Sequence, residues 1–312
     1  MVSRKLRVEG GLYDFPLSTR HLLKDDRHGS QFTSHGKMAS IQKELREYGL
    51  FPKKRLGQHF LVDRNILDKV IRTAEVKRED VILEVGPGLG EMILGLARLA
   101  KRVIAVEIDS TLVEILKKKM STVSNVEIIK EDILKVDFDA LSRQTGAPLK
   151  VVANLPYQIS TPLLFRFIES RRFFSSLTLM LQREVVERMV APAGVKEYGA
   201  LSIFVQMVSH PSIHFFISPS AFFPRPKVES AVVHLVWRKE PWIEPDGEKW
   251  FKEVVKASFS HRRKTLINSL KHSGLPLPLL IEERMKATGI DPRRRPETLS
   301  IEEFIHLSEV LK

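Results

Sequence analysis

Residues 151–157 read Val-Val-Ala-Asn-Leu-Pro-Tyr: a short apolar run that stops at an amide, a proline and an aromatic ring. The plain reading is a turn with a surface tyrosine. The sharper one is a pocket that holds a flat, amine-bearing ring by its edge and its face. The exocyclic N6 of adenine is a poor nucleophile, because its lone pair is delocalised into the ring. Hydrogen bonds from its N–H groups to the Asn154 side-chain oxygen and the Leu155 carbonyl would favour the sp³-like nitrogen of an alkylation transition state. Pro156 fixes its own φ and keeps Leu155 extended, which aims that carbonyl. Tyr157 would stack on the base, a contact of about 1–3 kcal/mol in single-strand binders.

Three other stretches suggest what lies beside such a ring. "EVGPGLG" places Gly86, Gly88 and Gly90 after a strand candidate and before a helix candidate, where a backbone free of side chains can approach a ligand. "AVEID" ends the next strand candidate with Glu107, suited to accept from both hydroxyls of a ribose. "KEDIL" puts Asp132 at the tip of the one after, as an acceptor for an adenine amino group. Singly, Glu107 and Asp132 read as caps or surface charge. Together with the glycines they point to an adenosine moiety, without choosing between NAD and S-adenosylmethionine.

These residues need a scaffold that brings strand ends together. Strand candidates at 80–86, 102–108, 126–132, 150–155 and 176–182 alternate with helix candidates at 90–100, 110–120, 161–171 and 183–191. That alternation predicts a largely parallel, doubly wound sheet that binds ligands at its carboxyl edge. Ahead of it, 60–76 has helical spacing, with Asp63 as a cap. Residues 212–238 read as two antiparallel strands joined by a proline-rich loop. After 241 the chain reads as helices, over 248–272, 277–289 and 300–312. Residues 38–50 are a further short helix candidate. Residues 1–37 have no sustained apolar period and read as a flexible extension, or as a start assigned ahead of Met38. The division expected is 1–50 extension, 51–240 sheet domain and 241–312 helical domain.

Composition narrows the chemistry. The 312 residues include no cysteine, which excludes disulfides and thiolate chemistry and suits a reducing cytoplasm. The histidines have no metal-ligand spacing, so no metal is expected. No apolar run reaches the length of a membrane span. The formal net charge of +12 favours a polyanionic partner.

The motifs, taken in order, carry a resemblance. "KKRLGQHFLVD" (53–63), "ILEVGPGLGEM", "VIAVEID", "EDIL", "VANLPYQISTPLL", "MLQREVVERM", "YGALSIFVQ", "FFPRPKVESAVV" and "SHRRKTLINSL" together resemble the KsgA/RsmA family of small-subunit rRNA adenine dimethyltransferases, from about residue 53 to the C-terminus. The resemblance implies an α/β fold: a Rossmann-like S-adenosylmethionine-dependent methyltransferase sheet with a small C-terminal helical domain. It implies S-adenosylmethionine as methyl donor and two adjacent adenosines, in a hairpin loop near the 3′ end of small-subunit rRNA, each receiving two methyls. By motif it assigns His59, Leu61, Gly86, Gly88, Glu107, Asp132 and Asn154 to the cofactor, with Asn154 also facing the base. Phe222 would close the other face of that base, completing a catalytic set with Asn154, Leu155, Pro156 and Tyr157. Family members often carry asparagine where His59 stands; both can contact the cofactor.

A base must leave its stack to reach the donor, so a loop adenine is expected. Arg262, Arg263 and Lys264, expected on a helix, would hold the RNA backbone, with Arg293, Arg294 and Arg295 adding charge. The expected partner is rRNA within an assembling small ribosomal subunit, and the expected form a cytoplasmic monomer with no membrane association. A large-subunit rRNA adenine methyltransferase of the macrolide-resistance type, a non-catalytic assembly factor and a nicotinamide dehydrogenase are the competing readings.

Overall fold

The computed structural model describes residues 43–312 except 241, 244 and 262. The expectations for residues 1–37, and for the first part of 38–50, lie outside the described residues; 43–47 are helical. A seven-stranded sheet organises the rest, in the order β4-β3-β2-β5-β6-β9-β7. Its strands are β2 (Val81–Val85), β3 (Arg102–Glu107), β4 (Val126–Lys130), β5 (Leu149–Asn154), β6 (Phe174–Gln182), β7 (Ser209–Ile217) and β9 (Ser230–Trp237). The first five are parallel to one another, and β9 is antiparallel to both β6 and β7.

Every residue of β2 is buried, as befits a central parallel strand covered on both faces. Alternation along the strands feeds two apolar clusters. Leu83, Val85, Val151 and Ala153 face one; Ile82, Ala105, Val152 and Met180 face the other. Helices α1 (Arg64–Thr73), α2 (Glu91–Ala97), α3 (Ser110–Lys119), α5 (Ser160–Glu169), α6 (Arg183–Val190) and α7 (Ala200–Val208) flank the sheet. Asp63 caps α1 as expected, accepting from Asn65 N and Ile66 N. The chain steps outward from β2 to β4 and then crosses back to β5. The switch point therefore falls between β2 and β5, and it brings Gly86 and Asn154 side by side. The crossover contains a helix absent from the sequence reading, α4 (Phe138–Thr145), capped by Asp137 and closed by Gly146.

The tail is α8 (Pro245–Ser258), α9 (Leu266–Lys271), α10 (Ile281–Ala287) and α11 (Ile301–Val310). The helix expected over 248–272 is two helices. Ser258 Oγ donates to Val254 O and Ser260 Oγ to Ala257 O, so hydroxyls satisfy carbonyls where the first helix ends. Phe251, Val254, Leu266, Phe304 and Leu307 join the cluster that holds Val151 and Leu179, so the tail shares its core with the sheet.

A second, two-stranded sheet pairs β1 (Phe60–Leu61) with β8 (Phe222–Phe223), antiparallel. It corrects the role expected for Phe222. That side chain is fully buried in the cluster containing Met180 and Val232, where it has no open face for a base. Neighbouring strand residues point to opposite sides, and Phe223 instead packs on the small cluster of Phe60, Leu89 and Leu112. Phe222→Ala is expected to cost about 3–5 kcal/mol in chemical denaturation, the range for truncating a core phenylalanine. A loss below about 1 kcal/mol would contradict the core placement.

Candidate active site

A cavity of about 220 Å³ opens at the carboxyl ends of β2, β3, β4 and β5. Its floor is the turn after β2. Gly86 and Gly88 both have left-handed φ, +63° and +59°, and a Cβ on Gly88 would sit 2.9 Å from the Phe60 ring. Only glycine lets the turn pass this close beneath the segment above it. That segment, residues 53–61, forms a strap over the cavity and contributes Arg55, Gln58, His59 and Leu61 to its lining. The strap is tied down at three places. Lys53 Nζ lies 2.7 Å from Asp109 Oδ2, and Gln58 Nε2 donates to the same carboxylate at 3.3 Å. His59 Nδ1 lies 2.7 Å from the Pro224 carbonyl. A carbonyl can only accept, so Nδ1 carries the hydrogen. The β1–β8 pairing holds the strap's far end.

Glu107 ends β3 almost wholly buried. Its Oε1 accepts from Asp109 N at 2.8 Å. Burial pushes its carboxyl up, against backbone hydrogen bonds from Asp109, Ile108 and Gly88. Asp109 caps α3 through Thr111 N. Burial would raise its carboxyl too, but the Lys53 ammonium and the other donors outweigh burial and hold it low. Asp132 follows β4 and lines the same cavity, with Oδ1 accepting from Leu134 N at 3.0 Å. Ile108, half exposed, and Ile133 supply apolar wall between these acids.

Asn154 ends β5 facing the cavity. Its Nδ2 donates to the His59 carbonyl at 3.1 Å. An amide nitrogen only donates, so this bond fixes which end is which. Oδ1 accepts no hydrogen bond from a described residue. Leu155 is buried and its N–H donates to Met180 O at 3.1 Å, extending the ladder by one bond. Pro156 packs 3.6 Å from where a Cβ on Gly86 would lie. The Tyr157 ring lines the cavity, 5.3 Å from the His59 ring, and its hydroxyl is held 2.6 Å from Ser230 Oγ. Burial raises that phenol, with the Ser230 hydrogen bond pulling the other way.

The model of the family described as ribosomal RNA adenine dimethylase matches residues 51–312. The chain belongs to that family. It is 45% identical over 263 residues to the ribosomal RNA small subunit methyltransferase A of Alkaliphilus oremlandii, covering 83% of this chain and 92% of the relative. It is 43% identical over 272 residues to the protein of the same name from Shouchella clausii, covering 86% and 92%. The crystal structure of a dimethyladenosine transferase from Plasmodium falciparum superimposes with a TM-score of 0.67 at 28% identity, covering 78% of this chain and 94% of that one. The 23S rRNA methyltransferase ErmE superimposes with a TM-score of 0.63 at 24% identity, covering 81% and 99%, a likeness of fold.

For a ribosomal RNA adenine dimethylase, the fold gathers most of the expected site. His59, Leu61, Gly86, Gly88, Glu107, Asp132 and Asn154 to Tyr157 all line one cavity; Phe222 does not. Arg262 lies outside the described residues. Arg263, exposed, and Lys264, half-buried, sit in the turn between α8 and α9 and not on a helix. The other basic run is engaged within the chain: Arg293 with Asp291, Arg294 with Glu303 and Arg295 with Glu297.

Sequence reasoning passed over Glu84, two residues before Gly86. It is 1% exposed, lines the cavity, and its Oε2 has no hydrogen-bond partner. Burial raises its carboxyl from the ordinary 4.5 to about 8. The fold therefore favours the protonated form, and the associated stability is complete below about pH 4.5 and lost as pH climbs through 8. Glu84→Gln removes that dependence. It is expected to stabilise the protein by roughly 3 kcal/mol at pH 7 and by little at pH 4.5. Denaturation free energies of the two proteins at both pH values check this, and parallel pH profiles would contradict it.

Proposed function

We propose that this chain transfers methyl groups from S-adenosylmethionine to N6 of two adjacent adenosines, in a hairpin loop near the 3′ end of small-subunit rRNA, giving N6,N6-dimethyladenosines. The observation that carries the reading is the Asn154 side chain at the cavity wall: its nitrogen is held by the His59 carbonyl while its oxygen accepts from no described residue. The donor suits the residues around it. A glycine turn without side chains, two acids at successive strand ends and apolar walls between them match an adenosine. The unpartnered Glu84 carboxyl matches a cationic group attached to it. Glu107 would hold the ribose, Asp132 the adenine amino group, and Gly86, His59 and Leu61 the remainder.

S-adenosylmethionine, when bound, supplies an electrophilic methyl on a good leaving group, so most of the remaining barrier is alignment. Asn154 Oδ1 and the Leu155 carbonyl accept from the target N6–H groups and favour the pyramidal nitrogen. Pro156 keeps Leu155 extended. Tyr157 offers the base a ring whose hydroxyl is already fixed, so little freedom is lost on stacking.

Small-subunit rRNA is favoured by the two relatives at 43–45% identity, both named for the small subunit. The likeness to the 23S enzyme is one of fold. The intact glycine turn and Asn-Leu-Pro-Tyr favour catalysis over a purely non-catalytic assembly role. The reading extends to an assembling small subunit as partner, with a cytoplasmic monomer as the working form. Methylation assays on immature small subunits against naked large-subunit rRNA, read by mass spectrometry for dimethyladenosine, test it. Product only on the large-subunit RNA would overturn it.

Asn154→Ala is expected to lower methyl transfer by about 10²-fold or more while changing donor affinity far less. Activity equal to wild type would remove Asn154 from the mechanism. Charge reversal of Arg263 and Lys264 together is expected to weaken RNA binding and flatten the slope of log affinity against log salt by about 1–2. An unchanged slope would mark that turn as a solvated face.

A further inference from the structure

Glu84 stands inside the cavity wall with no partner of its own. On its strand face it follows Ile82 and lies opposite Ala105 of β3, both apolar and fully buried. The titratable groups sharing the cavity come from every element around it: Arg55 and His59 from the strap, Glu91 from α2, Glu107 from β3, Glu131 and Asp132 after β4, and Tyr157 after β5. α1 presents only Leu67 to the cavity. Arg55 is exposed to solvent, and His59 Nδ1 is directed to Pro224 O. The four other carboxyl groups bring no donor to it. Oε2 has no hydrogen-bond partner, and burial sets the protonation of Glu84. A buried acid of this kind ionises when a cation reaches it from outside the chain.

We infer that Glu84 is a specificity-determining residue. It gives up its proton to solvent when the sulfonium donor binds and takes one back once the methyl has left, so the site holds the charged donor more tightly than the spent thioether. The inference rests on S-adenosylmethionine being the donor. S-adenosylhomocysteine differs from it only by the methyl and the positive charge on sulfur, so the pair isolates that charge. The cavity charge balances at each stage: a neutral acid when empty, a carboxylate facing a sulfonium with donor, a neutral acid again with product.

Calorimetric titration of the full chain with each ligand, in two buffers of different ionisation enthalpy, tests this. Near pH 6.5 the donor is expected to release close to one proton on binding, and the product close to none. Donor affinity should rise about tenfold from pH 6 to 7, since a group titrating near 8 must lose its proton. Glu84→Gln should abolish the release and weaken donor binding about tenfold, leaving the product within about twofold. The wild-type proton count decides the matter even where the variant folds poorly. Equal release with both ligands, or equal weakening of both, would assign Glu84 to the part the two share and overturn the inference. Failure of wild type to bind either ligand would overturn the donor reading, and this inference with it.

Discussion

An amide side chain has a donor end and an acceptor end, and a pocket for an amine needs the acceptor end presented alone. In Asn154 that condition is met by the hydrogen bond from Nδ2 to the His59 carbonyl. The carbonyl belongs to a strap almost a hundred residues earlier in the chain, so the strap must be in place before the oxygen has a direction. Its anchors come from two further segments: Asp109 at the start of α3, and residues 222–224, through the Phe222–Phe223 strand and the Pro224 carbonyl. One acceptor atom thus depends on four stretches of chain meeting at one edge of the sheet.

Charge is sorted between inside and outside. The chain is strongly basic, at +12, yet the charged residues that line the largely apolar cavity are mainly acids: Glu84, Glu91, Glu107, Glu131 and Asp132. Arg55 stands exposed at the mouth, and Arg225 and Lys227 are exposed on the loop that receives His59. This arrangement separates two ligands of opposite sign. A polyanion is attracted to the exterior, where counterion release favours it. A cation is attracted to the interior, where low dielectric strengthens each interaction.

The sheet was legible because its strands are short β-rich runs divided by turn residues, a pattern set by local chemistry. The acids and glycines at the strand ends were legible for the same reason: topology fixes that consecutive parallel strands end together. Other features were not. Helix α4 spans eight residues with only Phe138 and Leu141 buried, too few for periodicity to register. The β1–β8 pair has two residues a side, so nothing local announces it. Its register decides that Phe222 points inward and Phe223 does not, a choice of parity that the dipeptide Phe-Phe leaves open. Glu84 was hidden differently. A single acid within a buried strand carries no spacing signal, and only burial without a partner shows it to be exceptional.

Asp109 shows how such contacts become a single unit. Its backbone N–H holds Glu107 Oε1, while its carboxylate caps α3 and receives Lys53 and Gln58 from the strap. The acid at the end of β3 and the cover over the cavity therefore share one residue, itself fixed by the first turn of a helix. Moving that turn would disturb both at once, whereas a flexible loop in its place could hold neither. The geometry of the Asn154 oxygen is in this way referred back, through His59 and the strap, to a helix terminus packed on the central sheet. The cavity edge is positioned by rigid elements, although much of its lining lies on turns and on a strap.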